Sequence, residues 1–498
     1  MLHVLFAVAL AIPLYEVARH LALRAMRERL QKRARSYAEH HGVRIDLFKF
    51  GGKLLVREEL LNDRALLQAM AAAADKGERP EDVRERVEEY IDEIVPAFSL
   101  AAYFEFGMKL ARAAVRAVYK PLIDPASLKR VAEMPANATA VFLINHRSNF
   151  DYVVVGWALA RQVAISYAVG EWARVFPLDA LFKAFGGFFV RRGFPDPLYH
   201  TVLRRYLQLI TRRGVTQGIF PEGGLTRDGA LRSPKVGLLD AILQLSAEPD
   251  FDRELFFVPV GINYDRVLED ESLLAEQRGR ANPPTAAEKL LGALRLLWVL
   301  PSRGLINGLR VATGRLQRNG YVAVAFGEPV RLRDLPQSQK LSALTDEERR
   351  ALAKEVASAL MTRIAGTIPA TPVPLLARAA LELRCEATVG ELATRVRELR
   401  ATLEERGVPT ALGREFDPQR AARKDLRENV ERNRDLARLE GDLLASEEAE
   451  QIVRLALERL VRRRILSRTG TRVTAGDHPH GHELLQYYAR SLARLDPI

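Results

Sequence analysis

A single cysteine, Cys385, in 498 residues excludes a disulfide framework within one chain and fits a reducing, cytosolic setting. Cysteine and histidine are nowhere spaced as in structural zinc sites. No Gly-x-Ser-x-Gly elbow occurs, which removes the serine nucleophile of the α/β-hydrolase kind. None of the recognised nucleic-acid motifs is present, so no nucleic-acid partner is expected. The N-terminal apolar stretch LHVLFAVALAIPLY is too short for a simple membrane span, which takes about 18 residues or more. It also lacks the positive residues that lead a signal peptide.

Positive charge is plentiful instead. The net charge of +12 suits an anionic membrane surface, nucleic acid or phosphorylated substrates. Arg19, Arg24, Arg27, Arg29, Lys32, Arg33 and Arg35 follow the apolar N-terminus. That order reads as a membrane-associating segment, residues 1–40, whose basic flank stays on the cytoplasmic face among anionic lipids. Residues 41–130 read as helical: RALLQAMAAAADKG stops at Gly77, and Pro80 opens EDVRERVEEYIDEIV.

From residue 131 to 368 short apolar strands alternate with helical segments (AVFLI, VAISYAV, GGFFVRR, VTQGIF, LFFVPVGINY, YVAVAFG). This alternation predicts an α/β layered domain with a mostly parallel or mixed sheet, flanked by helical regions on both sides in sequence. An apolar, basic insertion with Trp298 interrupts it between Leu268 and Gly320, and suits either a lipid interface or a pair of core helices. Residues 369–498 read as a charged helical domain with 3.6-residue periodicity. The histidines of DHPHGHE are broken up by Pro479 and Gly481, and no metal site is read there.

Four stretches carry the chemistry, at the strand ends where α/β sheets place it. The first is AVFLINHRSNFDYVVVG. With a helix starting just after Ser148, His146 lies in the preceding turn and Asp151 reaches back to its imidazole, a base with its orienter. His41 and Asp46 share that spacing without a preceding apolar strand, and read as a coincidence. The second, GGFFVRRGF, puts Arg191 and Arg192 at a strand end as phosphate-matching forks. The third, IFPEGGLTRDG, brings Glu222, either to order the acceptor or to anchor the loop. It also brings Gly223, whose neighbourhood offers backbone N–H groups to a ligand. Arg227 and, downstream, Lys235 add positive charge, and Arg147 joins them as a substrate-binding candidate. The fourth, FFVPVGINYD, carries Pro259, which predicts an edge or bulged strand lining a cleft.

Together and in this order the four resemble the glycerolipid acyltransferase superfamily. Paired arginines after GGFFV, the form EGGLTRDG…PKVG and the long C-terminal extension ending LLQYYARSL are most like the long bacterial glycerol-3-phosphate 1-O-acyltransferases. The resemblance implies acyl transfer from acyl-CoA or acyl carrier protein to glycerol-3-phosphate, giving lysophosphatidate, with no cofactor and no metal. Dihydroxyacetone phosphate and lysophosphatidate are the alternative acceptors. Without a nucleophile elbow, and with Cys385 outside the motifs, direct transfer is expected rather than an acyl-enzyme.

Overall fold

Apolar residues recur with two different periods along this chain, and in the computed structural model each period becomes the element it predicts. The structure describes residues 52–98, 103, 107–135, 137–160, 162–170, 174, 178–279, 318–335, 344–410 and 434–495. The N-terminal membrane-associating segment and the insertion around Trp298 lie outside them. Among the described residues no helix is long and apolar enough to cross a membrane. The chain divides into two compact units. One comprises residues up to 107, 159–217 and 244–253; the other comprises residues 108–158, 218–243 and 254 onward.

In the first unit the expected helices form at Arg64–Ala74 (α1) and Pro80–Ile94 (α2). Gly77 between them adopts a φ of +97°. Pro80 opens α2, with Glu81 and Asp82 in the first turn to complement the helix dipole. Val83, Val87, Tyr90, Ile91 and Ile94 form its buried stripe. Tyr90 donates to Asp196 (2.7 Å), which caps the helix Pro197–Arg212 (α3) by accepting from the Leu198 amide. Two short parallel strands, Ser166–Gly170 (β1) and Phe188–Val190 (β2), belong to this unit.

The second unit is built on a long strand, Glu254–Tyr264 (β3). It pairs in parallel with Ala138–Ile144 (β4) and antiparallel with Tyr321–Phe326 (β5). Lys120–Ile123 (β6) lies parallel to β5 on its outer side. Every residue of β4 is buried, as a near-continuous apolar run requires between two covered faces. The sheet is therefore mixed. Each of the six runs that the sequence places as strands forms one, VTQGIF as Gln217–Ile219, while β6 lies outside those runs.

The Pro259 expectation is corrected here. Pro259 sits on β3, which has partners on both sides. Its carbonyl accepts from Gly327 (2.8 Å), so its missing N–H falls on the β5 side. There β5 pairs from Val260 onward, while the two-residue strand Val330–Arg331 pairs only with Phe256 and Phe257. Pro259 occupies the break between two successive partners, where no donor is called for.

The C-terminal part of this unit holds helices Asp346–Thr367 (α4), Pro372–Glu382 (α5), Val389–Glu405 (α6), Arg434–Arg462 (α7) and Gly481–Ala489 (α8). Thr345 with Glu348, and Thr388 with Glu391, close capping boxes at α4 and α6. A three-stranded antiparallel sheet (Glu386–Thr388, Leu466–Thr469, Arg472–Ala475) interrupts what the sequence read as purely helical.

Candidate active site

β4 ends at Ile144, and the next side chain takes over the ladder. Asn145 accepts from the Ile262 amide (2.7 Å) and donates to the Ile262 carbonyl (3.0 Å), so its amide acts as one more strand residue. The chain then turns through His146–Phe150 into the helix Asp151–Leu159 (α9). Asp151 lies in the first turn, as the sequence predicts, but as its first residue: the helix starts later than just after Ser148.

The turn wraps around the Asp151 carboxylate. Oδ2 accepts from the amides of Arg147 (2.8 Å) and Ser148 (3.0 Å) and lies 3.0 Å from His146 Nδ1. Oδ1 accepts from the Tyr264 hydroxyl (2.6 Å). Two amides, a hydroxyl and the imidazole converge on this fully buried carboxylate, which offsets its desolvation. With Nδ1 turned to Asp151 as the donor, Nε2 is the nitrogen left to take a proton. The imidazole is boxed by Phe220 (ring centroids 4.2 Å apart) and Tyr152 (5.6 Å).

The loop after Phe220 is tied to the same turn. Glu222 Oε1 accepts from the His146 amide (2.7 Å), and Oε2 accepts from the Arg232 amide (2.9 Å). The Thr226 amide donates to the His146 carbonyl (3.0 Å). Of the two roles open to Glu222 in sequence, anchoring the loop is the one its contacts perform. The amide of Gly223 is not aimed at a ligand: it donates to the Phe220 carbonyl (3.0 Å) across a turn. The residue's φ of +65° and the Lys235 stem against it leave no place for a side chain.

Burial raises the Glu222 carboxyl from 4.5 to about 7, against the two amide bonds and the Arg147 charge that lower it. Between those values the folded chain keeps a proton that the unfolded chain releases. The group is thus neutral to stability below about pH 4.5, and its cost grows as pH rises, levelling above 7 at about 3 kcal/mol. Glu222→Gln removes this dependence. Variant minus wild-type stability from denaturant melts should therefore climb between those two pH values and stay level above; a flat difference would mean that the carboxyl ionises freely.

The remaining sequence-derived candidates are held as follows. Arg147 is buried, its Nη1 donating to the Gly229 carbonyl (2.9 Å). Arg227 is exposed and paired with Glu276 (3.1 Å). Lys235 is exposed, its amide on the Pro221 carbonyl (2.7 Å). In the first unit, Arg191 forks onto the Glu93 carboxylate, lies over the Phe194 ring (4.5 Å) and donates its backbone N–H to the Tyr199 hydroxyl (2.7 Å). Arg192 is exposed.

Two participants escaped the sequence reading. Tyr264 stands inside the fourth motif, which was its only signal. Glu269, whose carboxyl burial pushes up, accepts from the Ser148 hydroxyl (2.7 Å) and the Asn149 amide (3.2 Å). No spacing announces it.

A buried imidazole with a carboxylate on Nδ1 can serve as a general base with its orienter. Residues 128–263 match the family described as Acyltransferase. Residues 305–418 match the Glycerol-3-phosphate acyltransferase C-terminal region. The chain is in particular similar to bacterial glycerol-3-phosphate acyltransferases. It is 29% identical over 359 residues to that of Aeromonas hydrophila subsp. hydrophila, covering 69% of this chain and 42% of that one. The Histophilus somni protein of that name is 30% identical over 256 residues, 50% of this chain and 31% of that one. The chain thus spans less than half the length of these relatives. The crystal structure of the 1-acyl-sn-glycerophosphate acyltransferase PlsC from Thermotoga maritima overlays at a TM-score of 0.28 and 14% identity, over 62% of this chain and 97% of that one.

Proposed function

We propose that this protein acylates the sn-1 hydroxyl of glycerol-3-phosphate from a thioester donor, acyl-CoA or acyl carrier protein, giving lysophosphatidate. The observation that carries this is the His146–Asp151 pair, with Nδ1 on the carboxylate and Nε2 left as base. The acceptor hydroxyl gives its proton to Nε2 as its oxygen bonds to the thioester carbonyl carbon. The resulting oxyanion collapses, the carbon–sulfur bond breaks, and the departing thiolate takes the proton back from the imidazolium. Asp151 holds the ring and stabilises its charge while the proton is there. An amphiphilic lipid product and the basic flank in the N-terminal sequence support work at the cytoplasmic face of the membrane.

The test is product identification. Purified protein is incubated with each donor type and with glycerol-3-phosphate, dihydroxyacetone phosphate, lysophosphatidate and glycerol, and the lipids are resolved. Preferred formation of 1-acyl lysophosphatidate supports the proposal. Preferred use of dihydroxyacetone phosphate or lysophosphatidate replaces the acceptor, and no transfer to any acceptor refutes the reading.

A further inference from the structure

Arg147 stands next to the base, and a phosphate ligand is the obvious role for it. Its surroundings argue otherwise. The side chain is only 2% exposed. Its Nη1 donates to the Gly229 carbonyl, and its guanidinium carbon lies 5.1 Å from the centre of the Tyr487 ring. Nε and Nη2 have no hydrogen-bond partner among the described residues. The cavity that Arg147 lines with Asn145, Glu222, Thr226 and Ser491 has room for about one water, 10 Å³, and cannot admit a phosphate.

Three segments distant in sequence meet at this guanidinium. The first is the catalytic turn, whose Arg147 amide helps to hold Asp151. The second is the EGGLTRDG loop, which contributes Gly229. The third is α8, which contributes Tyr487. Gly229 and Tyr487 are themselves interlocked: a Cβ on Gly229, at φ +86°, would lie 1.8 Å from the Tyr487 carbonyl oxygen. Tyr487 is fully buried. A planar fork can bond a carbonyl at its edge and stack on a ring with its face, which an ammonium cannot do together.

We infer that Arg147 is a positioning residue, and that through it the C-terminal helix α8 sets the placement of the His146–Asp151 turn against the Glu222 loop. It is not a ligand of the acceptor phosphate. The inference rests on the function proposed above for its kinetic readout, and on backbone protection for a readout independent of it.

The experiment uses the full chain with Arg147→Lys, Tyr487→Leu and Tyr487→Phe, and the Arg147→Lys/Tyr487→Leu double variant. Misplacement of reacting groups by about 1 Å lowers kcat by up to about 10²-fold. Arg147→Lys and Tyr487→Leu should each lose kcat on that scale, with the glycerol-3-phosphate KM within about twofold of wild type. Tyr487→Phe keeps the ring and should recover most of what leucine loses. The double variant should lose little more than the worse single one, because both break one clamp. Amide hydrogen exchange at Thr226 and across residues 146–151 should accelerate in Arg147→Lys and Tyr487→Leu alike.

A raised acceptor KM with unchanged kcat in Arg147→Lys would make it a phosphate ligand and overturn the inference. So would additive losses, or exchange left unchanged. Should the wild type transfer acyl groups to no acceptor while exchange still responds as expected, the clamp stands and the proposed function falls.

Discussion

Replacing His146 with alanine is expected to lower turnover by about 10²–10⁴-fold while the protein stays folded. The hydrogen bonds that His146 itself makes to the Glu222 loop run through its amide and carbonyl, which alanine keeps. Asp151→Asn should be nearly as damaging, for a reason the geometry supplies. An amide oxygen at the Oδ2 position still meets the three donors there, and the new NH₂ faces the Tyr264 oxygen, which can turn to accept it. The ring therefore stays oriented, and what disappears is the negative charge that stabilises the imidazolium. Steady-state kcat with a saturating donor, beside a circular-dichroism melt, measures both. A His146→Ala protein turning over near the wild-type rate would end the mechanism. His41→Ala should be silent in the same assay.

The arginines that the sequence reads as phosphate forks should part company. Arg192→Ala is expected to raise the acceptor KM strongly and to lower kcat/KM by roughly 10–100-fold, the scale of about 1.5–3 kcal/mol for a charged hydrogen bond. The donor KM should barely move. Arg192→Lys should recover only part of the loss, because the ammonium keeps the charge and not the fork. Arg191→Ala should instead lower the melting temperature, since it leaves the poorly exposed Glu93 carboxylate without its main partner. Arg227 shares an exposed ion pair of small worth with Glu276, so releasing it to a phosphate costs little. Arg227→Ala and Lys235→Ala should then act on the acceptor KM as Arg192→Ala does. Glycerol, lacking the phosphate, should be a poor acceptor whose slow rate these substitutions leave alone. Equal losses on phosphorylated and unphosphorylated acceptors would make the arginines structural.

Six strands were legible because each is a short apolar run ended by a polar or turn-forming residue, and the His146–Asp151 turn because Asn145 stops one such run; KPLI, four residues with a lysine and a proline directly after a helical run, was not. Contacts between side chains far apart in sequence were not. The partner of Arg191 lies 98 residues upstream, and that of Ser148 lies 121 downstream. Pro259 misled because a missing donor bars a strand from the interior only if that side is paired at that residue, and here two successive partners leave a gap. The small antiparallel sheet was hidden because LSRT and RVTA are short, charged strands inside helical surroundings. Tyr264 and Glu269 bond to the His146–Asp151 turn, and nothing in their local pattern distinguishes them from ordinary core and cap residues.

The interlock of Gly229 with Tyr487 also bears on how this molecule is made. The two residues are 258 positions apart, from 229 to 487. At about 5–20 residues per second, a ribosome takes roughly 13–50 s to travel between them. Throughout that interval the nascent chain already contains His146, Asp151 and Glu222, yet lacks the helix against which their loops close. Activity is therefore expected to appear late and abruptly during synthesis. Chains released early by a stop codon before residue 481 should be inactive although every motif residue is present.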